Sequence, residues 1–199
     1  WRSWGVEPDA VVGHSMGEIA AAAVAGALAI EDAARVVARR SRLLVRAAGR
    51  GAMAVVELDR AGAQAALAGL EDRLSIAAAN GPHSTLLSGN EAALDQVLAA
   101  LEAREVFCRR VQVDVASHSP GMEPLLPELR TALAGIRPTA ASVALRSTVE
   151  DRFLAGPELG PDYWARNLRQ PVLFWPAIRG LLAEGFGLFL EVSPHPVLV

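Results

Sequence analysis

The stretch Gly13-His14-Ser15-Met16-Gly17-Glu18 decides the fold, because it sets a serine between two glycines where the predicted secondary structure changes. The short apolar run 10–12 predicts a β-strand before it, and the alanine-rich stretch 19–30 predicts a helix after it. This arrangement is typical of a nucleophile elbow, in which glycines on either side of the serine remove side chains that would collide. The helix would direct free N–H groups and the positive end of its dipole toward Ser15, where an acyl-transfer oxyanion would form. A tight turn whose serine only caps the helix is the open alternative.

Length and composition indicate a globular chain. Its 199 residues can bury a sizeable core, with 52% hydrophobic and 21% charged residues. A formal net charge of -3 gives no reason to expect nucleic acid or an anionic membrane as a partner. The longest apolar stretch, 19–30, is too short for a bilayer, which needs about 20 residues. The single cysteine, Cys108, excludes an internal disulfide and fits a reducing cytosol, so we expect a cytoplasmic chain.

The order of predicted elements divides the chain into three parts. Residues 51–114 follow the βαββαβ order of a ferredoxin-like unit. Residues 1–50 and 115–199 read as the two parts of a larger α/β subdomain that carries the elbow. We therefore expect an α/β fold: an α/β-hydrolase-like large subdomain with a parallel sheet, and an inserted ferredoxin-like βαββαβ small subdomain.

The last third of the chain predicts a broken helical region followed by a strand. The helical region covers 163–183, with breaks expected near Pro171 and Pro176 because proline lacks the N–H that a helix interior needs. The apolar run 188–192 predicts a final strand. At the other end, a chain that opens at Trp1 and reaches Ser15 so soon leaves little room for earlier strands, so we expect an excerpt of a longer polypeptide.

A serine hydroxyl needs a base to take its proton, and four histidines are candidates. His14 adjoins the serine, and neighbouring side chains diverge on an elbow, so a structural role is expected for it. His83 and His195 lie in proline-flanked turns, where a surface histidine is usual. His118 lies where the predicted insert returns to the main subdomain, a kind of junction that often lines a cleft. The favoured general base is therefore His118.

Arg40 lies on the apolar side of a predicted amphipathic helix over 31–48. The other arginines of this helix form an opposite, solvated stripe: Arg35, Arg39, Arg42 and Arg46. An unpaired buried guanidinium is strongly unfavourable, so Arg40 needs a partner. Two interpretations stay open, an ion pair with one of the chain's own carboxylates or a bidentate clamp on a substrate carboxylate.

Several motifs in a fixed order make a resemblance specific. They are Gly13 to Glu18, then Arg40, Ala116-Ser117-His118-Ser119-Pro120 at the end of the βαββαβ unit, Tyr163 to Leu168, and Glu191 to Pro196. Together they resemble the acyltransferase domain of modular type I polyketide synthases, a family related to malonyl-CoA:acyl-carrier-protein transacylases. The resemblance runs from about Pro8 to the last residue.

The resemblance implies a role for each matched catalytic position. Ser15 would be acylated by a malonyl-type thioester of coenzyme A, and His118 would act as general base and then general acid. A main-chain carbonyl near residues 171–173 would orient that histidine. Arg40 would bind the free carboxylate of the malonyl unit, and the N–H of Met16 would be one oxyanion donor.

The resemblance also implies a specificity pocket that includes the residues before His118. In the family a bulky phenylalanine directly before the histidine accompanies malonyl selectivity, whereas this chain has the small Ser117 after Val115 and Ala116. Room for an α-substituent favours methylmalonyl or another alkylmalonyl unit, although one methyl group is worth only about 1–3 kcal/mol of discrimination. Asn80 matches a pocket asparagine of the family and reads equally well as a turn residue.

The implied chemistry needs no metal and no bound cofactor. The substrate would be a malonyl-type coenzyme A thioester, the acceptor the phosphopantetheine of an acyl carrier protein, and a ketosynthase and other domains would lie on the same polypeptide. The family's second oxyanion donor comes from a Gly-Gln-Gly motif that this chain lacks, so we expect the excerpt alone to be nearly inactive. The alternatives are a transacylase of fatty acid synthesis, a serine esterase or thioesterase using His195, and a noncatalytic docking segment.

Overall fold

The computed structural model describes residues 1–193, 195 and 198. Its elements follow in this order: a 3-10 turn at Arg2–Trp4, β1 (Ala10–Val12), α1 (Gly17–Val24), α2 (Ile30–Val45), β2 (Ala52–Val56), α3 (Arg60–Ala66), β3 (Leu74–Gly81), β4 (Ser84–Gly89), α4 (Glu91–Glu102), β5 (Cys108–Val111), a 3-10 turn at Pro120–Leu125, α5 (Leu126–Ala132), β6 (Ala144–Arg146), β7 (Phe153–Leu154), α6 (Pro161–Arg169) and α7 (Phe174–Ala183). None of the described helices is both long and apolar enough to cross a bilayer.

The first sheet carries the elbow. β1 pairs in parallel with β6, with Val11 opposite Leu145, and β7 adds an antiparallel strand to β6. The parallel pairing places the end of β1 beside the end of β6, so the turns after both strands lie at one edge of the sheet. The apolar residues of α1, α2, α5 and α6 form one hydrophobic cluster with this sheet. The predicted α/β fold is confirmed, with a sheet that is mixed instead of wholly parallel.

The second sheet is antiparallel and has the strand order β3-β4-β2-β5. With α3 and α4 this is the ferredoxin-like arrangement that the βαββαβ order predicts. Its apolar residues form a hydrophobic cluster of their own. Asn90 begins α4 as its N-cap, since its Oδ1 accepts from the Ala93 N–H at 3.0 Å.

Strand β3 holds the segment between α6 and α7 against the antiparallel sheet of the ferredoxin-like unit. The Ala79 N–H donates to the Val172 carbonyl at 2.9 Å, and the Val172 N–H donates to the Ala77 carbonyl at 2.8 Å. A third bond runs from the Leu173 N–H to the Thr148 carbonyl at 2.7 Å. The two sheets are thereby linked through a segment that begins directly after Gln170.

The helix predicted over 19–30 is wrong in its extent, because α1 ends at Val24. Gly26 has a φ of +76°, a left-handed conformation that glycine adopts at little cost. Its N–H donates to the Ala23 carbonyl, and the Ala27 N–H donates to the Ala22 carbonyl, which is the Schellman pattern of a helix C-terminus.

Two expectations for the last third also differ from the structure. No strand forms at 188–192, where Leu188 is 92% and Val192 78% exposed. A strand needs a neighbour for its N–H and C=O groups, and none of the described strands pairs with this run. The helical region does break at 170–173, but Pro176 lies in the first turn of α7, where its missing N–H would have no helical partner anyway.

Candidate active site

Ser15 lies on a sharp turn between β1 and α1 and has a φ of +53°. A Cβ on Gly13 would lie 2.2 Å from the backbone N and Cα of Glu18, so only glycine fits there. A Cβ on Gly17 would meet nothing within 4 Å, so the second glycine of the motif is not required for space. The predicted elbow therefore depends sterically on the first glycine alone.

His118 lies beside Ser15 and is 4% exposed. The distance from Ser15 Oγ to His118 Nε2 is 2.7 Å, and His118 Nδ1 lies 2.7 Å from the Gln170 carbonyl oxygen. Because a carbonyl oxygen only accepts, Nδ1 carries the proton and Nε2 is free to accept from the serine hydroxyl. The arrangement can activate Ser15 as a nucleophile.

The orienting carbonyl lies one residue before the expected range 171–173. The Val172 carbonyl already accepts from β3, and the main chain of Leu173 donates to Thr148. The Gln170 carbonyl, directly before Pro171, is the one that faces the imidazole.

Burial and charge keep the imidazole of His118 neutral. Removal from water, and secondarily the positive charge of Arg40, lower the pKa of His118 to about 3. At neutral pH the ring is thus an unprotonated base.

Arg40 is buried, 3% exposed, whereas Arg35, Arg39, Arg42 and Arg46 are exposed or lie on the solvated side of α2. Its Nη1 donates to Asn167 Oδ1 at 2.9 Å, and its Nη2 donates to Ser15 Oγ at 3.1 Å. Among the described residues, its Nε has no hydrogen-bond partner. Burial lowers the pKa of Arg40 to about 10, while the nearby Glu18 charge acts in the opposite direction, so the side chain stays cationic at neutral pH.

The ion-pair interpretation of Arg40 is replaced by an indirect link. No described carboxylate lies within ion-pair distance of the guanidinium, and Asn167 stands between it and Glu18. Asn167 Nδ2 donates to Glu18 Oε2 at 2.9 Å. A buried cation whose Nε has no partner among the described residues, beside the Ser15 hydroxyl, can bind an anionic substrate group.

The Met16 N–H lies at the start of α1, and among the described residues none accepts a hydrogen bond from it. It is therefore available to an oxyanion near Ser15.

Asn80, on β3 of the antiparallel sheet, contacts the elbow, since its Oδ1 lies 2.8 Å from His14 Nε2. Burial lowers the pKa of His14, so this ring donates to Asn80 as a neutral imidazole.

The three residues before His118 lie in the turn that leads into it. Val115 packs at the edge of the large hydrophobic cluster, Ala116 is buried, and Ser117 is half-buried. The left-handed backbone of His118, with a φ of +60°, ends this turn. These three residues lie near the His118 imidazole because they directly precede it in the chain, and their role in substrate selectivity stays a prediction.

None of the other candidate histidines bonds to the serine hydroxyl among the described residues, and the His14 ring contacts Asn80 instead. His83 and His195 are exposed, and Nε2 of His118 occupies the hydrogen-bonding position on Ser15 Oγ. Pro194 and Pro196, which flank His195, lie outside the described residues. Within the described part of the chain no three His, Cys, Asp or Glu side chains lie close enough together to hold a metal ion.

Sequence reasoning missed Asn167 and Glu18 as members of the site. Both stand inside quoted motifs, and both are almost completely buried. For Asn167 the available signal was a polar residue on the apolar side of α6, the same signal that singled out Arg40 on α2.

The whole chain, residues 1–199, matches the family model of the acyl transferase domain. It is 54% identical over 199 residues to the spectinabilin polyketide synthase system protein NorA' of Streptomyces orinoci, covering 100% of this chain and 6% of that protein. It is 50% identical to the erythronolide synthase EryA2 of Saccharopolyspora erythraea, again covering 100% of this chain and 6% of that protein. The chain thus spans only a small part of these relatives.

Solved structures show the same likeness. The acyltransferase domain from module 8 of the salinomycin polyketide synthase superposes with a TM-score of 0.98 at 48% identity, covering 100% of this chain and 47% of that one. The malonyl CoA-acyl carrier protein transacylase of Coxiella burnetii superposes with a TM-score of 0.86 at 26% identity, covering 93% of this chain and 61% of that one. The chain therefore belongs to the acyl transferase domain family.

Proposed function

We propose that this chain carries the acyl-transfer centre of a polyketide synthase, which moves an alkylmalonyl unit from coenzyme A to Ser15 and then to the phosphopantetheine thiol of an acyl carrier protein. The observation that carries the proposal is the convergence of two groups on Ser15 Oγ, a neutral imidazole at 2.7 Å and a guanidinium at 3.1 Å. The polyketide synthases among its relatives support the assembly-line context. The acyl-carrier-protein transacylase among the solved structures supports the carrier as acceptor.

The proposed first half-reaction uses Ser15 and His118. His118 Nε2 takes the hydroxyl proton while Oγ attacks the thioester carbonyl, and the resulting oxyanion lies near the Met16 N–H and the start of α1. The C–S bond then breaks as His118 returns the proton to the departing coenzyme A sulfur. In the second half-reaction the carrier thiol gives its proton to His118 and its sulfur attacks the ester carbonyl. The bond from that carbon to Ser15 Oγ then breaks as His118 returns the proton to Oγ, which regenerates the hydroxyl and leaves the acyl group on the carrier thiol.

Arg40 is the proposed clamp for the free carboxylate of the extender unit. Its Nη1 is held by Asn167, and the other edge of the guanidinium presents Nε, which has no partner among the described residues, beside Nη2, which donates to Ser15 Oγ in the resting site. A carboxylate matches such a pair with two parallel hydrogen bonds. Holding the acyl group in this way favours attack by the thiol over attack by water.

The preference for a substituted malonyl unit rests on the residues before the base. The small Ser117, half-buried in the turn before His118, leaves more room than an aromatic side chain would. Methylmalonyl is the proposed extender, with other alkylmalonyl groups next.

The test uses the native polypeptide that carries this chain and two thioesters that differ only in the carboxylate. Intact-mass spectrometry after mixing with methylmalonyl-CoA is expected to show one added acyl group, and propionyl-CoA is expected to add little. Ser15→Ala removes the nucleophile and is expected to abolish the adduct, while Arg40→Ala is expected to bring the two thioesters to similar rates. Labelling by propionyl-CoA alone would contradict the clamp, and unchanged carrier loading in Ser15→Ala would favour a noncatalytic role.

A further inference from the structure

Asn167 connects three parts of the site through one buried carboxamide. It is 2% exposed; Oδ1 accepts from Arg40 Nη1 at 2.9 Å, and Nδ2 lies 2.9 Å from Glu18 Oε2 and 3.2 Å from the Ser15 carbonyl oxygen. A single side chain thus contacts the guanidinium, the main chain of the nucleophile and a buried carboxylate.

Glu18 is fully buried, and polar groups surround its carboxylate. Tyr163 Oη donates to Oε1, and the Thr148 N–H lies 3.2 Å from Oε1. Thr148 Oγ1 lies 3.0 Å from Oε2 and 2.9 Å from the Gly13 carbonyl oxygen, so its one proton is shared between these two acceptors. Ser147 Oγ accepts from two backbone N–H groups at 3.0 Å, so its own proton goes to Tyr163 Oη at 2.7 Å. This leaves the tyrosine proton for Glu18, so the hydrogen bonds run from Ser147 to Tyr163 and from Tyr163 to the carboxylate.

The two neighbours of Asn167 permit only one orientation of its carboxamide. A guanidinium can only donate, so Oδ1 must face Arg40, and the amide nitrogen then faces Glu18 Oε2 as a donor. With Nη1 held in this way, the plane of the guanidinium is set, and its Nε–Nη2 edge, on which Nε is unpartnered among the described residues and Nη2 contacts Ser15 Oγ, faces the place where the acyl group would bind. The negative charge of Glu18 also favours the charged form of Arg40.

We infer that Asn167 is a positioning residue that aims Arg40 at the carboxylate of the incoming acyl group, and that Glu18 holds Asn167 in the orientation this requires. The inference deepens the proposed function and rests on it. Its consequence is that substitutions at either position should reduce the preference for carboxylate-bearing thioesters, beyond any effect on the general rate.

The experiment measures the second-order rate of Ser15 acylation by methylmalonyl-CoA and by propionyl-CoA in the native polypeptide, and takes their ratio. Asn167→Ala removes the bond to a charged group and is expected to lower the ratio on the order of ten- to hundredfold. Glu18→Gln keeps the shape, but its amide nitrogen would favour a flipped Asn167 carboxamide, whose nitrogen would then oppose Arg40. This variant is expected to lower the ratio in the same direction.

The matched control is Asn90→Ala. Asn90 also accepts a hydrogen bond through Oδ1, but it is the N-cap of α4 in the ferredoxin-like unit. Its loss therefore weakens the fold without a direct effect on the site. The control is expected to leave the ratio within about twofold of the parent. A purely structural role of Asn167 would lower both acylation rates equally and leave the ratio unchanged.

Arg40→Ala separates the inference from the proposed function. If Arg40→Ala collapses the ratio while Asn167→Ala and Glu18→Gln leave it unchanged, the positioning role is overturned and the clamp stands. If Arg40→Ala itself leaves the ratio unchanged, the clamp is overturned and the positioning role with it. Should Asn167→Ala fail to fold, the near-isosteric Glu18→Gln decides the matter alone.

Discussion

Ser15 Oγ both donates and accepts in the resting site. Its proton goes to His118 Nε2, because Nδ1 of that ring holds the proton that faces the Gln170 carbonyl. Its lone pair accepts from Arg40 Nη2. The hydroxyl therefore meets a base on one side and a cation on the other, and the cation would stabilise negative charge that develops on the oxygen.

The buried imidazole of His118 predicts a pH dependence of stability. Its pKa is about 3 in the folded chain, against an ordinary 6.5 that we take for the unfolded chain, so between these values the unfolded state binds more protons. The free energy of unfolding is then fully retained above pH 6.5 and falls as the pH is lowered through this window. Between pH 7.5 and 5.5, His118→Gln is expected to lose about 1 kcal/mol less than the parent.

Urea unfolding at the two pH values measures this difference. His14, whose pKa burial also lowers, contributes the same sign in both proteins and so cancels in the comparison. Equal losses in parent and variant would show that His118 is not held neutral by the fold.

At the scale of elements, the turn between β1 and α1 predicts opposite outcomes for its two glycines. Gly13→Ala places a Cβ 2.2 Å from the Glu18 backbone, which cannot move without opening the elbow, so a loss of about 3 kcal/mol or more is expected. Gly17→Ala meets nothing within 4 Å at the first residue of α1, and alanine there is expected to be neutral or to gain up to about 1 kcal/mol. Chemical denaturation of both variants provides the comparison, and equal losses would contradict the steric account.

The elements also show where sequence reasoning works and where it stops. The elbow could be predicted because its strand, serine and helix are contiguous in the sequence. Arg40 could be predicted because helical periodicity places it among the apolar residues of α2, apart from the other arginines. The run 188–192 has the apolar pattern of a strand, yet pairing depends on a neighbouring strand that a local pattern does not contain. For α1, a single left-handed glycine outweighed the helix propensity of the alanines around it.

The site itself is assembled from distant parts of the chain. The structure brings Ser15, His118 and Arg40 together, as their residue types suggested, and their catalytic roles stay predictions. The carbonyl that orients His118 was expected one or more residues after Gln170, because sequence spacing does not show which way a main-chain carbonyl points. Asn167 was missed because its bridging contacts depend on tertiary packing.

At the scale of the whole molecule, the link between the two sheets predicts an effect on the base. Val172→Pro removes the N–H that donates to the Ala77 carbonyl and loosens the segment that follows Gln170. Because that segment anchors the neighbouring Gln170, whose carbonyl orients His118, acylation of Ser15 by methylmalonyl-CoA and by propionyl-CoA is expected to fall by a similar factor, about tenfold. Rapid-quench kinetics in the native polypeptide measures both rates.

Val172→Ala is the matched control, since it keeps the main-chain hydrogen bonds while it trims the side chain. It is expected to retain most of the rate with both thioesters. A proline variant that loses rate with only one thioester would place this segment in substrate selection and contradict its link to the base.

The bond from Arg40 Nη2 to Ser15 Oγ has a consequence for how acyl groups are sorted under the proposed function. It engages one of the two lone pairs of the hydroxyl and so lowers the nucleophilicity of Ser15 Oγ in the empty site. A substrate carboxylate that takes over the Nη2 donor releases this lone pair, whereas a thioester without a carboxylate leaves the hydrogen bond from Nη2 in place. Discrimination would then appear in kcat as well as in KM, because a thioester without a carboxylate meets a serine whose oxygen still accepts a hydrogen bond from Arg40.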